Sequence, residues 1–277
     1  MRLDLRQCSD GEADMRLDNC VAAITGGGSG IGAACALAFA HEGANVAIGD
    51  LDLEKANSVV EKIEGMGRKA IALGMDVTRQ ADIDNLVEAT EDRLGPLKIW
   101  VGCPGITVGA SILDQTREDW RRIMNLNLDG VFFSAQAAAR RMVRHGQGSI
   151  INLSSMYGTR AVHDSVAYCA SKAAVIMLTE VMAIELAEYG VRANSIGPGY
   201  TDTPLFRGAR AKRGESFDPL LQRVPAGRLA QPAEIADAAV FLASDESLFI
   251  TGHALQVDGG WSANGSWKSA AVWESRK

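Results

Sequence analysis

The chain has 277 residues, 47% hydrophobic and 22% charged, a balance that suits one folded domain with a substantial core. Its formal net charge of -6 argues against nucleic acid as a partner, which calls for a basic face. The N-terminal stretch MRLDLRQCSDGEAD has no apolar signal region, and charges interrupt the apolar runs well short of the roughly 18 residues a bilayer span needs, so no membrane partner and a cytoplasmic location are expected.

Short β-branched or apolar runs alternate with helical patterns along the chain. In order they are VAAI at 21–24, VAI at 46–48, AIAL at 70–73, IWV at 99–101, SIINL at 149–153, ANSI at 193–196 and ALQV at 254–257. Strand, helix, strand as a repeating unit implies right-handed crossovers and an α/β doubly wound parallel sheet with helices on both faces, its ligands at the carboxyl ends of the strands. Residues 204–225 carry Gly, Pro and charge without a clean period and read as a mobile surface segment, a candidate lid. Cys8, Cys20, Cys35, Cys103 and Cys169 show neither CxxC nor Cys/His spacing, so reduced thiols and no metal site are expected.

Directly after the first strand stands TGGGSGIG, Thr25 to Gly32, leading into AACALAFAHEG. Gly26, Gly30 and Gly32 permit a tight turn and close backbone approach, and a helix starting there offers amide donors and a partial positive charge to pyrophosphate. A glycine-rich turn serves plain turns too, but its place between strand and helix favours a nucleotide site. Asp50 ends the second strand, where a carboxylate reaches adenosine ribose hydroxyls and repels a 2′-phosphate. No Arg or Lys stands at Ser29 or Leu51, so NAD is expected over NADP. The plain alternative is that Asp50 caps the helix beginning near Asp52.

The stretch SSMYGTRAVHDSVAYCASK carries Ser155, Tyr168 and Lys172. Tyr168 and Lys172 are four apart at the start of an apolar, Ala-rich helical run, so both rise from one face. An ammonium beside a phenol favours the phenolate and would lower the tyrosine pKa toward neutrality, letting Tyr168 act as a general base. Taken singly, a strand-end serine, a helix-start tyrosine and a solvated lysine are ordinary structural residues. Their joint spacing carries the catalytic reading.

These motifs together resemble the short-chain dehydrogenase/reductase family, core-length type, from about Met15 to Trp261. TGGGSGIG is similar to its cofactor loop, with Gly26, Ser29, Gly30, Ile31 and Gly32. Asp76-Val77 resembles its adenine contact, and Asn127 in NLNLDG its helix asparagine. Ser155, Tyr168 and Lys172 resemble its catalytic set, Pro198-Gly199 with Thr201 and Thr203 its nicotinamide-carboxamide segment, and the stretch from Gly227 to Trp261 its C-terminal signature. The resemblance implies a single Rossmann-type domain with a seven-stranded parallel sheet. It implies that Tyr168 is the acid/base, that Lys172 holds the nicotinamide ribose hydroxyls and lowers the tyrosine pKa, that Ser155 bonds the substrate oxygen, and that Asn127 anchors a proton-relaying water. A homotetramer is also implied.

The expected activity is NAD-dependent interconversion of a secondary alcohol, a polyol or sugar foremost, and its ketone. The alternatives are reduction of a 3-oxoacyl thioester with NADPH, and a non-catalytic NAD-binding regulator. One segment departs from the family: Gly102-Cys103-Pro104-Gly105 stands where members usually carry Asn-Asn-Ala-Gly. Two amides and a backbone donor are gone beside the nicotinamide, so cofactor binding is expected to survive on its other contacts, with an affinity that could be lower. Cys103 and Cys169 read as small thiols without chemistry. Substrate contacts are expected from Thr107–Leu113, from Met156–Asp164 including His163 and Asp164, and from the lid, whose Arg207, Arg210, Lys212 and Arg213 could attract an anion or simply be a solvated basic loop. Residues 1–14 read as a disordered extension or as upstream of a native start at Met15. In the tail 262–277, Trp267 and Trp273 are expected to pack on a neighbouring subunit.

Overall fold

The computed structural model describes residues 15–214 and 216–265, apart from the side chains of Lys212 and Arg213. The expectations for residues 1–14, Trp267 and Trp273 lie outside the described residues. All seven predicted runs form strands: β1 Val21–Thr25, β2 Asn45–Asp50, β3 Ala70–Gly74, β4 Ile99–Gly102, β5 Gly148–Leu153, β6 Val191–Pro198 and β7 Ala254–Val257. They pair in parallel throughout, in the order β3-β2-β1-β4-β5-β6-β7.

The helices are α1 Gly30–His41, α2 Leu53–Gly65, α3 Gln80–Leu94, α4 Arg117–Met124, α5 Gly130–His145, α6 Val166–Leu186, α7 Pro204–Arg213, α8 Asp218–Leu221 and α9 Pro232–Ala243. Strand residues alternate between two cores because successive side chains point to opposite faces of a sheet. Ala22, Ile24, Ile99, Val101 and Ile151 meet α1, α2 and α9 on one face, while Ala23, Ala47, Trp100 and Ile150 meet α3, α5 and α6 on the other. Each fully buried aliphatic side chain stabilises the sheet by about 2 kcal/mol. The strand order reverses between β1 and β4, which opens a crevice at their carboxyl ends where the Thr25–Gly32 turn lies.

Two elements differ from the sequence reading, and a third was not foreseen in detail. Segment 204–225 holds two helices, Pro204–Arg213 and Asp218–Leu221, where an irregular stretch was expected. Thr203 caps α7 by accepting the Phe206 amide at 3.2 Å, Pro204 sits in the first turn, and Gly214 closes the helix at φ +63°. Between α4 and α5 the helical path widens into a π-turn, Asn125–Asp129, which holds the Asn127 that the resemblance placed on a helix. Finally, α6 and its continuation to Tyr189 are long and apolar enough to cross a membrane by length and composition, which counting uninterrupted apolar runs had missed. One face of α6 is buried in this fold, through Ala167, Ser171, Val175, Thr179 and Ala183.

Candidate active site

The glycine turn is built by backbone contacts. Gly26 and Gly30 hold φ of +68° and +55°, a region that favours glycine, and a Cβ on Gly32 would lie 2.1 Å from the Gly26 carbonyl oxygen. Asp50 closes the turn from beneath: its carboxylate accepts the Gly28 amide at 2.8 Å and the Asp52 amide at 2.9 Å. The cap that the plain alternative gave to Asp50 is instead Asp52, whose carboxylate accepts the Lys55 amide at 3.1 Å and pairs with its ammonium at 2.6 Å. Asp50 is thereby left lining the cleft with a carboxylate edge suited to a ribose diol.

The atypical Gly102–Gly105 segment forms the neighbouring wall. The Cys103 amide donates to the Thr25 hydroxyl at 3.3 Å, and its thiol takes the Gly32 amide, so it holds the start of α1 in place of an amide side chain. Burial pushes this thiol up to about 11, against the opposing pull of the Lys172 charge. Gly102 leaves two buried polar atoms unmatched without leaving free space. Where its side chain would begin, Asn152 Oδ1 lies 3.0 Å and Trp100 Nε1 3.7 Å away, and both atoms are buried without a hydrogen-bond partner. The missing amide is felt in the sheet beneath the cleft.

Ser155, Tyr168 and Lys172 meet on the opposite wall. A 3₁₀ turn, Met156–Gly158, follows β5; Ser155 caps it by accepting the Tyr157 amide at 3.1 Å and is hydrogen-bonded to the Tyr168 phenol. Lys172, one turn further along α6, is buried. It donates to the Leu153 carbonyl at 2.9 Å, with Nζ 5.9 Å from the Tyr168 ring centroid. Burial lowers its pKa to about 8. Tyr168 corrects the expectation of a depressed pKa: burial raises it, the Ser155 hydrogen bond opposes that, and the ammonium does not reverse it. Desolvation, not charge, dominates the phenol.

Asn127 is buried in the π-turn, and its carboxamide is committed. It accepts the Ile106 amide at 2.9 Å and donates to the Ile106 carbonyl at 3.0 Å and to the Ser171 hydroxyl at 3.2 Å. A π-turn turns an extra residue inward, which suits such a clamp. Gly105 marks the convergence: a Cβ there would stand 3.5 Å from Lys172 Nζ and 3.9 Å from Asn127 Oδ1.

These walls enclose a cleft of about 600 Å³. Gly26, Ser29, Gly30, Ile31, Asp50, Ser155, Tyr168, Lys172, Pro198, Thr201 and Thr203 line it. Gly32 and Asn127 stand behind the lining and shape it. Asp76 lies outside it, its carboxylate accepting the Thr78 amide at 2.9 Å and hydroxyl at 2.7 Å, and Val77 packs under Gly130. Each of the three expected substrate segments reaches the cleft: Thr107 from the first, Met156, Tyr157, Val162, His163 and Asp164 from the second, and Leu205, Phe206, Arg210 and Leu220 from the lid.

Of the lid cations, Arg207 pairs with Asp202, its Nη2 at 2.6 Å. Arg210 bonds the Ser216 carbonyl and covers the Phe217 ring at 5.6 Å. Tyr157 and Phe206 fall within the expected substrate segments, but Tyr200 lies outside them, and sequence reasoning missed that the three form one aromatic side of the cleft. Tyr157 stands two residues after Ser155 and Tyr200 directly after Pro198-Gly199, and that adjacency was the available signal. Among the described residues no group of three or more His, Cys, Asp or Glu could hold a metal, and Cys20, Cys35, Cys103 and Cys169 are free thiols.

A dinucleotide fits this geometry. The turn leaves no room for a Cβ, a helix N-terminus faces the cleft, and Asp50 stands at the end of β2. A family model described as "Enoyl-(Acyl carrier protein) reductase" matches residues 26–262. A 3-oxoacyl-[acyl-carrier-protein] reductase of Thermotoga maritima is 39% identical, with 89% of this chain and 99% of that protein covered. A 2,5-dichloro-2,5-cyclohexadiene-1,4-diol dehydrogenase of Sphingobium indicum is 39% identical over 89% of this chain and 98% of its own length. The solved gluconate 5-dehydrogenase of Burkholderia cenocepacia, in complex with NADP and tartrate, superposes with a TM-score of 0.85 at 39% identity, covering 91% of this chain and 98% of that one.

The chain belongs to the short-chain dehydrogenase/reductase family. Oxidoreduction at a CH–OH centre with a nicotinamide cofactor is the chemistry its relatives share.

Proposed function

We propose that this chain is an NAD-dependent dehydrogenase that oxidises a secondary alcohol, carried by a polyol or sugar, to its ketone. The observation that carries this reading is the meeting of Ser155, Tyr168 and Lys172 on one wall of a cleft whose other wall is the glycine turn and Asp50. Gly26, Ser29, Gly30 and Ile31 hold the pyrophosphate, and Asp50 takes the adenosine ribose hydroxyls. Pro198, Thr201 and Thr203 border the nicotinamide, and Asp76-Val77 lies toward the adenine. Bound NAD supplies the hydride acceptor.

Ser155 and Tyr168 hydroxyls hold the alcohol oxygen, and Tyr168 Oη takes its proton. Lys172 holds the nicotinamide ribose and, cationic below about pH 8, favours the phenolate. Asn127 fixes the Ile106 carbonyl, beside which a water carries the proton onward. The protein's part is orientation and charge.

NAD is favoured over NADP because Asp50 would face a 2′-phosphate and the neighbouring Lys55 is already paired with Asp52. A second reading, reduction of a 3-oxoacyl thioester with NADPH, is favoured by the Thermotoga reductase and by the NADP in the solved gluconate dehydrogenase. Absorbance of NADH and NADPH, followed with polyols and sugars in one direction and a 3-oxoacyl thioester in the other, separates them. A clear NADPH preference on the thioester overturns the first reading. We further propose a cytoplasmic homotetramer without membrane or nucleic-acid partners. Exposed Met177, Val181 and Ile184 on α6 support self-association, and solution mass tests it.

A further inference from the structure

Beyond Tyr168 the cleft wall is aromatic, and its polar atoms are engaged with one another. Tyr157 and Tyr200 stand edge to face with centroids 6.2 Å apart, and Tyr200 stacks on Phe206 at 5.6 Å. Trp261 backs both tyrosines, at 5.5 and 6.3 Å, and fixes their planes. The two phenol oxygens are hydrogen-bonded together at 2.7 Å. Nearby, the Thr201 hydroxyl donates to the Gly199 carbonyl at 3.1 Å, Thr203 caps α7, and Arg210 is held by the Ser216 carbonyl and the Phe217 ring. Met156, Leu205 and Leu220 complete this side with apolar surface.

Such a wall discriminates by shape. An open-chain polyol laid along it would strip water from successive hydroxyls without giving each a partner, and a desolvated, unpaired hydroxyl binds poorly. A ring can instead turn its CH face to the aromatic faces and keep its hydroxyls at the opposite edge. Polar side chains to meet those hydroxyls are present in the same cleft, His163 and Ser165 among its lining.

Resting on the alcohol-dehydrogenase reading of the same site, we propose that the substrate is a closed ring: a cyclic secondary alcohol whose apolar face packs on Tyr157 and Tyr200 while its carbinol oxygen meets Ser155 and Tyr168. Cyclic polyols and sugars in ring form fall within this class, and open-chain alditols outside it. Tyr200 and Phe206 are then specificity-determining residues, acting by contact with the ring.

The test is NADH formation from matched pairs: cyclohexanol against 2-hexanol, cis-1,2-cyclohexanediol against 2,3-butanediol, and myo-inositol against sorbitol. The expected kcat/KM favours the ring by about three- to tenfold, as one well-packed aromatic contact would give. Tyr200→Leu should cut that ratio several-fold, whereas Tyr200→Phe, which keeps the ring and loses the hydroxyl pair, should preserve it. Because Tyr200 packs on Trp261, Phe206→Leu on the partly exposed α7 supplies a second reading of the same ratio should Tyr200→Leu fail to fold.

Equal or better turnover of the open-chain partners, or a ratio unmoved by both leucine variants, overturns the ring assignment and leaves the dehydrogenase reading standing. NAD reduction by no alcohol of either kind overturns both.

Discussion

The two sides of the cleft are built from different material. The cofactor side is backbone: positive-φ glycines, a carbonyl 2.1 Å from where a Cβ of Gly32 would be, and a carboxylate bonded to two amides. The substrate side is side chain, an aromatic group drawn from Tyr157, Tyr200 and Phe206 on three separate segments. One methyl group is enough to break the first. The second can exchange a ring for an aliphatic and keep its frame. A fold that is to serve many alcohols with one cofactor needs this division.

The largest expected effect lies where the two sides meet. Tyr168→Phe removes the proton acceptor and should lower turnover by about 10²–10⁴-fold while NADH binding, followed by its fluorescence, is retained; residual turnover above a few per cent sinks the general-base role. Next, Gly32→Ala should raise the Kd for NAD by at least about tenfold and lower Tm by about 3–10 °C, through overpacking of a closed turn. If its affinity and Tm match the parent protein, the backbone side is no more exacting than the other. Asp50→Ala should raise the KM for NAD about tenfold with a smaller change in kcat and should narrow the gap to NADP, measured by steady-state kinetics with both cofactors.

The last expected effect concerns pH and bears least on turnover. Lys172 titrates near 8 when folded against an ordinary 10.5, so below pH 8 its buried charge costs stability, and the cost is relieved as pH rises from about 8 to 10.5. Denaturant unfolding should show a gain of up to about 3 kcal/mol across that window, missing in Lys172→Met. Because burial raises the Tyr168 pKa, the oxidation rate should climb on the alkaline side. In Lys172→Met that limb should move to still higher pH, and an unmoved limb would remove Lys172 from the phenol's control.

What could be read from the sequence follows the same division. All seven strands, Asp50 and the Ser155–Tyr168–Lys172 set were legible because strand alternation, glycine placement and i,i+4 spacing are local. The α7 signals, Thr203, Pro204 and Gly214, were also present, but a cluster of cations masked them. The aromatic wall was not legible, since its members share no period and are joined only by the β5 and β6 ends. The Tyr168 pKa was misjudged for a different reason: spacing reveals a neighbouring charge, but not how much water the fold removes.

The π-turn at Asn125–Asp129 imposes a constraint on sequence length itself. The helical path from Arg117 to His145 carries one residue more than a regular helix would, and that surplus points Asn127 at Ile106. Deleting a single residue from 125–129 would let the helix relax to a more regular and locally more comfortable form while turning Asn127 away from the site. Here a deletion that mends the helix should harm the enzyme more than most substitutions, so the irregularity persists only as long as the chemistry needs it.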